Sequence, residues 1–179
     1  MKLAKSTLLF SCLILTLLLT LENGLIAQDW SYWRGPNRNG VADANQTVPT
    51  SWSKTQNVIW ASPIPGRGHS SPTIIGDQII LTTADQGSQT QSVLSYDRKT
   101  GKTAWKTDLN KAGGFPKIHA KNSHASPTAV SDGKQIYVAF NHHKQVQVTA
   151  LTMDGTVVWQ KIACQFSPRK YEYGYAASP

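Results

Sequence analysis

A stretch of roughly fifty residues occurs twice in this chain, and such a repeat constrains the fold more than any other feature of the sequence. "HSSPTIIGDQIILTT" at 69–83 returns as "HASPTAVSDGKQIYVAF" at 124–140, and "VLSYDRKTGKTAW" at 93–105 returns as "VTALTMDGTVVW" at 148–159. The interval from the proline to the tryptophan is 33 residues in the first copy and 32 in the second, although the turns between them differ in length. The chain therefore contains the same structural unit twice.

Each copy predicts four short strands, because apolar or alternating segments are separated by turns rich in Gly and Asp. The predicted strands are 73–75, 79–83, 91–96 and 102–107 in the first copy, and 128–130, 136–141, 145–151 and 156–162 in the second. Four antiparallel strands in a repeat of this length are typical of one β-propeller blade. We therefore predict an all-β fold, a partial β-propeller of about two four-stranded antiparallel blades with flanking strands.

The connections between the repeats vary in length, whereas the repeats themselves do not. The tryptophan and the next proline are 12 residues apart before the first copy, 22 between the copies and 20 after the second. Loops that vary on a constant framework commonly form the binding face of a repeat protein. The segments "NKAGGFPKIHAKNSH" at 110–124 and "CQFSPRKYEYGY" at 164–175 are therefore predicted to form a loop face that binds a protein or a carbohydrate.

The N-terminus has the pattern of a secretory signal peptide. Lys2 and Lys5 precede an apolar run at 8–21, and a cleavage site is predicted after Ala27. This run is shorter than the roughly 20 residues that span a bilayer, although an uncleaved membrane anchor remains an alternative. The predicted organisation is a signal peptide at 1–27, a leader at 28–57 and propeller blades at 58–179, in a periplasmic or extracellular protein with no transmembrane segment after cleavage.

Charge and cysteine content narrow the classes of partner. The formal net charge is +8, but the basic residues occur singly or in pairs along the sequence. We therefore interpret them as solvated turns and predict no nucleic-acid partner. Cleavage would leave Cys164 as the single cysteine, which excludes an intrachain disulfide. Because "KIACQF" at 161–166 resembles the end of a strand, we predict a buried, inert thiol, with a reactive thiol as the alternative.

The segment "YDRKTGKTAW" resembles the repeat signature of exported bacterial PQQ-like (pyrroloquinoline-quinone-type) β-propellers. Blades of that family carry an Asp, a Thr-Gly turn and a Trp four residues after the glycine. The first copy matches with Asp97, Thr100, Gly101 and Trp105, and the second matches with Gly155 and Trp159 but has Leu151 and Asp154 in place of the Asp and the Thr. The resemblance implies that Trp105 and Trp159 dock between neighbouring blades.

The two flanks of the repeats extend this resemblance. The leader "DWSYWRGPNRNGVA" at 29–42 is similar to that of exported propellers, and "NVIWASPI" at 57–64 would supply a short strand that completes a blade. The final "ASP" at 177–179 aligns with the start of both copies, which predicts that the chain is an N-terminal fragment interrupted at the start of a third repeat. We expect a free 28–179 monomer to be unstable, because two blades leave sheet edges and faces uncovered.

The pattern of the sequence favours a non-enzymatic function. It contains no catalytic triad, phosphate loop or paired carboxylates, so we predict no catalytic residue and no bound cofactor. The preferred hypothesis is a non-catalytic exported platform, as in the propeller subunit of the outer-membrane β-barrel assembly machinery. The alternative is part of a quinoprotein dehydrogenase that oxidises alcohols or sugars with PQQ and calcium.

Histidines and tryptophans are the remaining candidates for a site. His69 and His124 occupy the same position in the two copies, so they could form the rim of a central funnel or bond to neighbouring turns. His142 and His143 are adjacent on a turn, where their side chains diverge, and no metal site is predicted. Trp30, Trp33 and Trp52 are interpreted as residues that pin the leader, with a ligand-stacking platform as the alternative.

Overall fold

Two four-stranded antiparallel sheets form the computed structural model, which describes residues 28–170 and 172–179. The first sheet consists of β1 (Thr73–Ile75), β2 (Gln78–Asp85), β3 (Thr90–Asp97) and β4 (Thr103–Asn110), and the second of β5 (Val130–Ser131), β6 (Gln135–His142), β7 (Gln145–Thr152) and β8 (Val157–Gln165). In each sheet the strands are hydrogen-bonded in chain order. The predicted partial propeller is confirmed, and we call the first sheet blade 1 and the second blade 2.

Strand β5 is the clearest departure from the predicted boundaries. The prediction placed it at 128–130, but only Val130 and Ser131 pair with β6. The residues before them bond to blade 1 instead: the Thr128 hydroxyl accepts from the backbone N–H of Ser71 at 3.0 Å, and the Ala129 carbonyl accepts from the Thr73 hydroxyl at 2.6 Å. The prediction for β5 was wrong because these contacts between blades replace part of the ladder.

The core lies between the two blades. Alternate residues of β2, including Ile80 and Ala84, are buried together with Val93 of β3. They belong to the same apolar cluster as Ile136 and Phe140 of blade 2, both of which are almost fully buried. Burying each such large side chain contributes about 1.5–3 kcal/mol, so the two sheets are held face to face by their inward alternation.

The leader crosses the inner edges of both blades. Trp30 pairs with Ile74 of β1 through hydrogen bonds of 2.8 and 3.0 Å, and Ser31 accepts from the backbone N–H of Ser131 at 3.1 Å. The Trp30 ring lies against Gly35, where an added Cβ would be 2.7 Å from the ring, whereas Trp33 and Trp52 are 60% and 73% exposed. The backbone of Trp30 therefore joins the leader to β1, while its ring packs within the leader.

Segment 57–64 does not form the strand that was predicted for it. No residue of this segment has a strand assignment, although its Trp60 packs on blade 1. Pro63 and the following Pro65 have no N–H to donate to a ladder, and this part of the chain bonds to blade 1 through side chains and carbonyls instead. The Tyr96 hydroxyl donates to the Pro63 carbonyl at 3.2 Å, and the Thr83 hydroxyl donates to the Pro65 carbonyl at 2.5 Å.

Antiparallel order places the connections at two opposite ends of the blades. At one end, which we call the loop face, lie the connections between blades and the β2–β3 and β6–β7 turns, at 65–72, 86–89, 111–129, 143–144, 166–170 and 172–179. At the other, the turn face, lie the short turns 76–77, 98–102, 132–134 and 153–156. The connections on the loop face include the longest ones, and the two faces also differ in charge.

Cys164 is exposed near the end of the outermost strand, β8. The prediction of a buried thiol was wrong because most of β8 is exposed among the described residues, whereas β6 and β7 lie in the middle of the sheet. The described part of the chain contains no helix that is long and apolar enough to cross a bilayer.

Candidate binding surface on the loop face

The seam between the blades is formed by a tryptophan of one blade and a glycine turn of the next. Trp105 of β4 lies on Gly155, where an added Cβ would be 2.6 Å from the indole ring, and its Nε1 donates to the Met153 carbonyl at 3.1 Å. Thr107 reinforces the contact, since its hydroxyl donates to the Gly155 carbonyl at 2.6 Å. Gly155 has a φ of +85°, so glycine serves both the turn and the close approach of the indole.

The same contact occurs once more, at the outer side of blade 1. Trp60 lies on Gly101, its Nε1 donates to the Arg98 carbonyl at 2.9 Å, and the Ser62 hydroxyl donates to the Gly101 carbonyl. Trp159 of β8 instead lies beside Tyr137, with ring centroids 6.3 Å apart, and the Lys161 ammonium is 5.7 Å from its ring centroid. Trp60 and Gly101 therefore repeat the contact that Trp105 and Gly155 form between the blades, whereas Trp159 lies beside Tyr137 of its own blade.

The turn of blade 1 is closed by the carboxylate of Asp97. This carboxylate accepts from the hydroxyl and the backbone N–H of Thr100, each at 2.7 Å. These hydrogen bonds lower the pKa of Asp97. In blade 2 the carboxylate moves to Asp154, which accepts from the Thr152 hydroxyl and from the Thr156 N–H, and its pKa is lowered by the same kind of bonds. The degenerate second copy thus closes its turn with the acid at another position.

The backbones of the two predicted rim histidines, His69 and His124, approach each other, but their side chains line different cavities. The backbone N–H of His69 donates to the Ala125 carbonyl at 3.0 Å. The exposed side chain of His69 lines an axial cavity, whereas the ring of His124 stacks on Phe115 with centroids 4.2 Å apart and lines two other clefts. Burial lowers the pKa of His124, because it disfavours the charged imidazolium.

The axial cavity has a volume of about 600 Å³ and lies between the leader and the inner strands. Its lining includes Trp33, Arg34 and Arg38 of the leader, together with Thr128 of the connection before β5 and Ser178 near the end of the chain. The Arg38 guanidinium lies 4.7 Å above the ring of Tyr32. Sequence reasoning missed the cavity because its walls come from segments that are far apart in the chain.

The long connection between the blades and the segment after β8 lie together on the loop face. Lys117 forms an ion pair with Glu172 at 3.2 Å, and the Asn122 amide donates to the Tyr173 carbonyl. The rings of His119 and Tyr173 are 5.8 Å apart. Both loops that the sequence assigned to one face are therefore in direct contact.

The loop connection is also held against the framework beneath it. The Gly114 carbonyl accepts from the backbone N–H of His143 at 2.8 Å, and the ring of His142 bonds to the Gly113 carbonyl at 2.5 Å. The Arg67 guanidinium donates to the Ala120 carbonyl at 2.9 Å. Contacts at three points fix the path of the connection, which gives the loop face a defined shape.

The loop face is strongly basic. Its segments carry seven exposed cations and one carboxylate, Glu172: the cations are Arg67, Lys111, Lys117, Lys121, Lys144, Arg169 and Lys170. Two further carboxylates lie at the adjacent strand ends, where Asp85 accepts from the Ser88 N–H at 2.8 Å and Asp108 pairs with Lys106 and Lys111. These cations occur singly or in pairs along the sequence and are exposed in connections, as predicted, and folding gathers them from four connections onto one face.

Two clefts of about 380 and 390 Å³ cross this face. Both clefts are lined by Lys117 and Glu172, and the lining of the first cleft also includes Lys144 and Phe166. The second cleft adds Arg169, together with Ile118, His119, Lys170 and Tyr173. Each cleft therefore combines cations with apolar or aromatic side chains.

The described residues do not form a site for the calcium ion of a quinoprotein. Calcium needs six to eight oxygen ligands, with carboxylates among them. The described ranges contain no group of three His, Cys, Asp or Glu side chains placed to hold a metal ion.

The strand order, the glycine turns and the tryptophan seam together define a PQQ-like β-propeller repeat protein. The family model described as outer membrane protein assembly factor BamB matches residues 38–169, which is most of the chain. The chain therefore belongs to this family. A search of curated proteins found no match.

Proposed function

We propose that this chain is a non-catalytic, exported propeller platform that binds a protein partner through its loop face. The observation that carries the proposal is the contact between the two long connections, which produces an ordered surface at one end of the blades. The family description, outer membrane protein assembly factor, supports a role in binding proteins. The signal-peptide pattern at 1–27, which lies outside the described residues, supports export to the periplasm or the cell surface.

The proposal assigns the framework and the partner contacts to different parts of the chain. Seam residues such as Trp105 and Gly155 are buried or half-buried and are engaged in contacts between blades. Loop-face side chains such as Lys117 and Lys121 are exposed. A partner can therefore be bound without disturbing the seam.

Site-specific photo-crosslinking tests this assignment in the envelope of the host cell. A benzoylphenylalanine residue is placed at Lys121 or His143 on the loop face and, as matched controls, at Lys102 or Lys134 on the turn face, all four of which are exposed. We expect the two loop-face positions to yield the same exported or outer-membrane protein, identified by mass spectrometry, and the turn-face positions to yield none. Equal adducts from both faces, or adducts from the turn face alone, would contradict the proposal.

The proposal also holds that the chain works without a bound quinone. Titration of the full-length chain with PQQ and Ca²⁺, followed by an assay of dye-linked alcohol oxidation, tests this part. We expect neither saturable binding nor turnover. Saturable binding with turnover would replace the platform by the dehydrogenase alternative.

A further inference from the structure

The single carboxylate on the described segments of the loop face, Glu172, already bonds to a cation of that face. Its side chain lies 3.2 Å from the Lys117 ammonium, and the two side chains are 53% and 83% exposed. An exposed pair of this kind contributes only about 0–1 kcal/mol, so other carboxylates can compete with it. The position of Glu172 thus shows where a carboxylate can bind to the Lys117 ammonium.

Lys117 and Glu172 are common to the two clefts, which together form one basic groove. At one end of the groove Lys144 lies near Phe166, and at the other Arg169 lies near Ile118. Cations are therefore present on both sides of the ion pair, and an apolar side chain accompanies them on each side. A ligand that fills the groove needs several negative charges together with apolar groups.

We propose that this basic groove binds an acidic segment of the protein partner, and that a carboxylate of the segment replaces Glu172 at Lys117. The proposal rests on the function assigned above and adds the chemistry of the partner. Further carboxylates of the segment reach Arg169 on one side and Lys144 on the other. Apolar side chains of the segment pack on Ile118 and Phe166.

A protein segment fits the groove better than a uniform polyanion does. Nucleic acids and sulfated polysaccharides would use the cations but have no aliphatic side chains for Ile118 and Phe166, which are half-buried in the cleft walls. A peptide can alternate carboxylate and apolar side chains along its length. Complementary charge of this kind mainly governs specificity and the rate of association, and its effect falls as the salt concentration rises.

The turn face offers a matched control for the groove. Lys99 and Asp77 form an exposed ion pair at 3.4 Å, with side-chain exposures of 75% and 70%. The pair has the same chemistry and a comparable exposure to the Lys117–Glu172 pair, but it lies at the opposite end of the blades. Comparing substitutions at the two pairs therefore distinguishes an effect of the groove on binding from an effect of the protein's net charge.

The test is a titration of the full-length chain with a fluorescein-labelled peptide of alternating glutamate and leucine, followed by fluorescence anisotropy at low and high salt. Removing one exposed charge pair changes affinity by about two- to fivefold. We expect Lys117→Gln and Arg169→Gln to weaken binding by that factor, Glu172→Gln to strengthen it, and Lys117→Arg to retain it. Lys99→Gln and Asp77→Asn should leave the affinity within twofold.

Several outcomes would overturn the groove assignment. One is a loss of affinity for Lys99→Gln that equals the loss for Lys117→Gln, and another is an unchanged affinity for Glu172→Gln. Tighter binding of heparin or a DNA oligonucleotide than of the peptide would overturn the choice of a protein segment. Thermal unfolding checks that each variant is folded, because exposed pairs contribute little to stability.

Failure of the groove and failure of the platform give different results. If the loop-face positions crosslink to a partner but Lys117→Gln does not weaken the peptide, the partner binds elsewhere on the loop face and the groove assignment fails alone. If neither crosslinks nor peptide binding are found at the loop face, both proposals fail.

Discussion

The turn face and the loop face use charged residues in different ways. On the turn face, carboxylates close the turns: Asp132 accepts from the backbone N–H groups of Lys134 and Gln135, each at 2.8 Å, and Asp154 accepts from that of Thr156. These bonds lower the pKa of both acids. On the loop face Asp85 closes the 86–89 turn in the same way, and the Arg67 guanidinium and the Lys117–Glu172 pair help to hold the long connections, but exposed cations outnumber carboxylates. The turn face therefore uses its carboxylates to close turns, whereas the loop face adds an excess of exposed positive charge.

The same comparison explains where the chain tolerates variation. A short turn with a positive φ and an indole against its glycine has little freedom to change. A connection of 19 residues, such as 111–129, needs only a few contact points to keep its path. The two faces therefore make different predictions for substitution.

The largest expected effect is at the seam on the turn face. Gly155 and Gly133 both have a φ of +85°, but an added Cβ would be 2.6 Å from Trp105 at Gly155 and would meet nothing within 4 Å at Gly133. Gly133→Ala should cost about 1 kcal/mol for the left-handed backbone, and Gly155→Ala about 2 kcal/mol more, because the indole must move. Urea unfolding of both variants measures the difference, and equal losses would show that Trp105 does not dock on the turn.

A smaller effect is expected from the indole N–H groups. Trp105→Phe removes the bond to the Met153 carbonyl and should cost about 1–2 kcal/mol. Trp159→Phe is the matched control, because its ring lies near Tyr137 and Lys161 rather than on a glycine turn. We expect it to leave the free energy of unfolding nearly unchanged. A loss for Trp159→Phe as large as that for Trp105→Phe would mean that the seam bond has no special role.

The smallest effect concerns a histidine on the loop face. Burial holds the pKa of His124 below the ordinary value of histidine, about 6.5. As the pH falls past that ordinary value, the histidine of the unfolded state takes up a proton more readily than the buried one does. The free energy of unfolding should therefore decrease as the pH falls from about 7 to about 5. His124→Phe keeps an aromatic ring against Phe115 and should reduce this loss.

Thermal unfolding of the two proteins across this pH range tests the expectation. Burial also lowers the pKa of His142, so part of the pH dependence should remain in the variant. An unchanged pH dependence in His124→Phe would assign the whole effect to other groups.

Strand positions were predictable from local patterns, since seven of the eight predicted strands lie within or at the edge of an observed one. The prediction for the eighth strand, β5, was wrong because Thr128 and Ala129 bond to residues of the first repeat. A pattern within one repeat carries no information about such contacts between blades. The exposure of Cys164 was missed for a related reason, because a strand pattern does not reveal whether another strand lies beside it.

The candidate site was predictable only in part. Sequence spacing assigned the two long connections to one face, and they do meet there. The approach of Lys117 to Glu172 was not predictable, because the two residues are far apart in the chain and belong to different blade connections. The axial cavity was missed for the same reason, since Arg38 and Ser178 lie near opposite ends of the described chain.

Local sequence features specify the repeat, the order of the strands and the glycine turns, because hydrophobic alternation and backbone preference act over a few neighbouring residues. The packing of the blades sets which turn receives Trp105, the path of the leader across the inner strands, and the collection of cations from four connections on one face. These features depend on the packing of one blade against the next, and Coulomb interactions depend on distances in space rather than on separation along the chain.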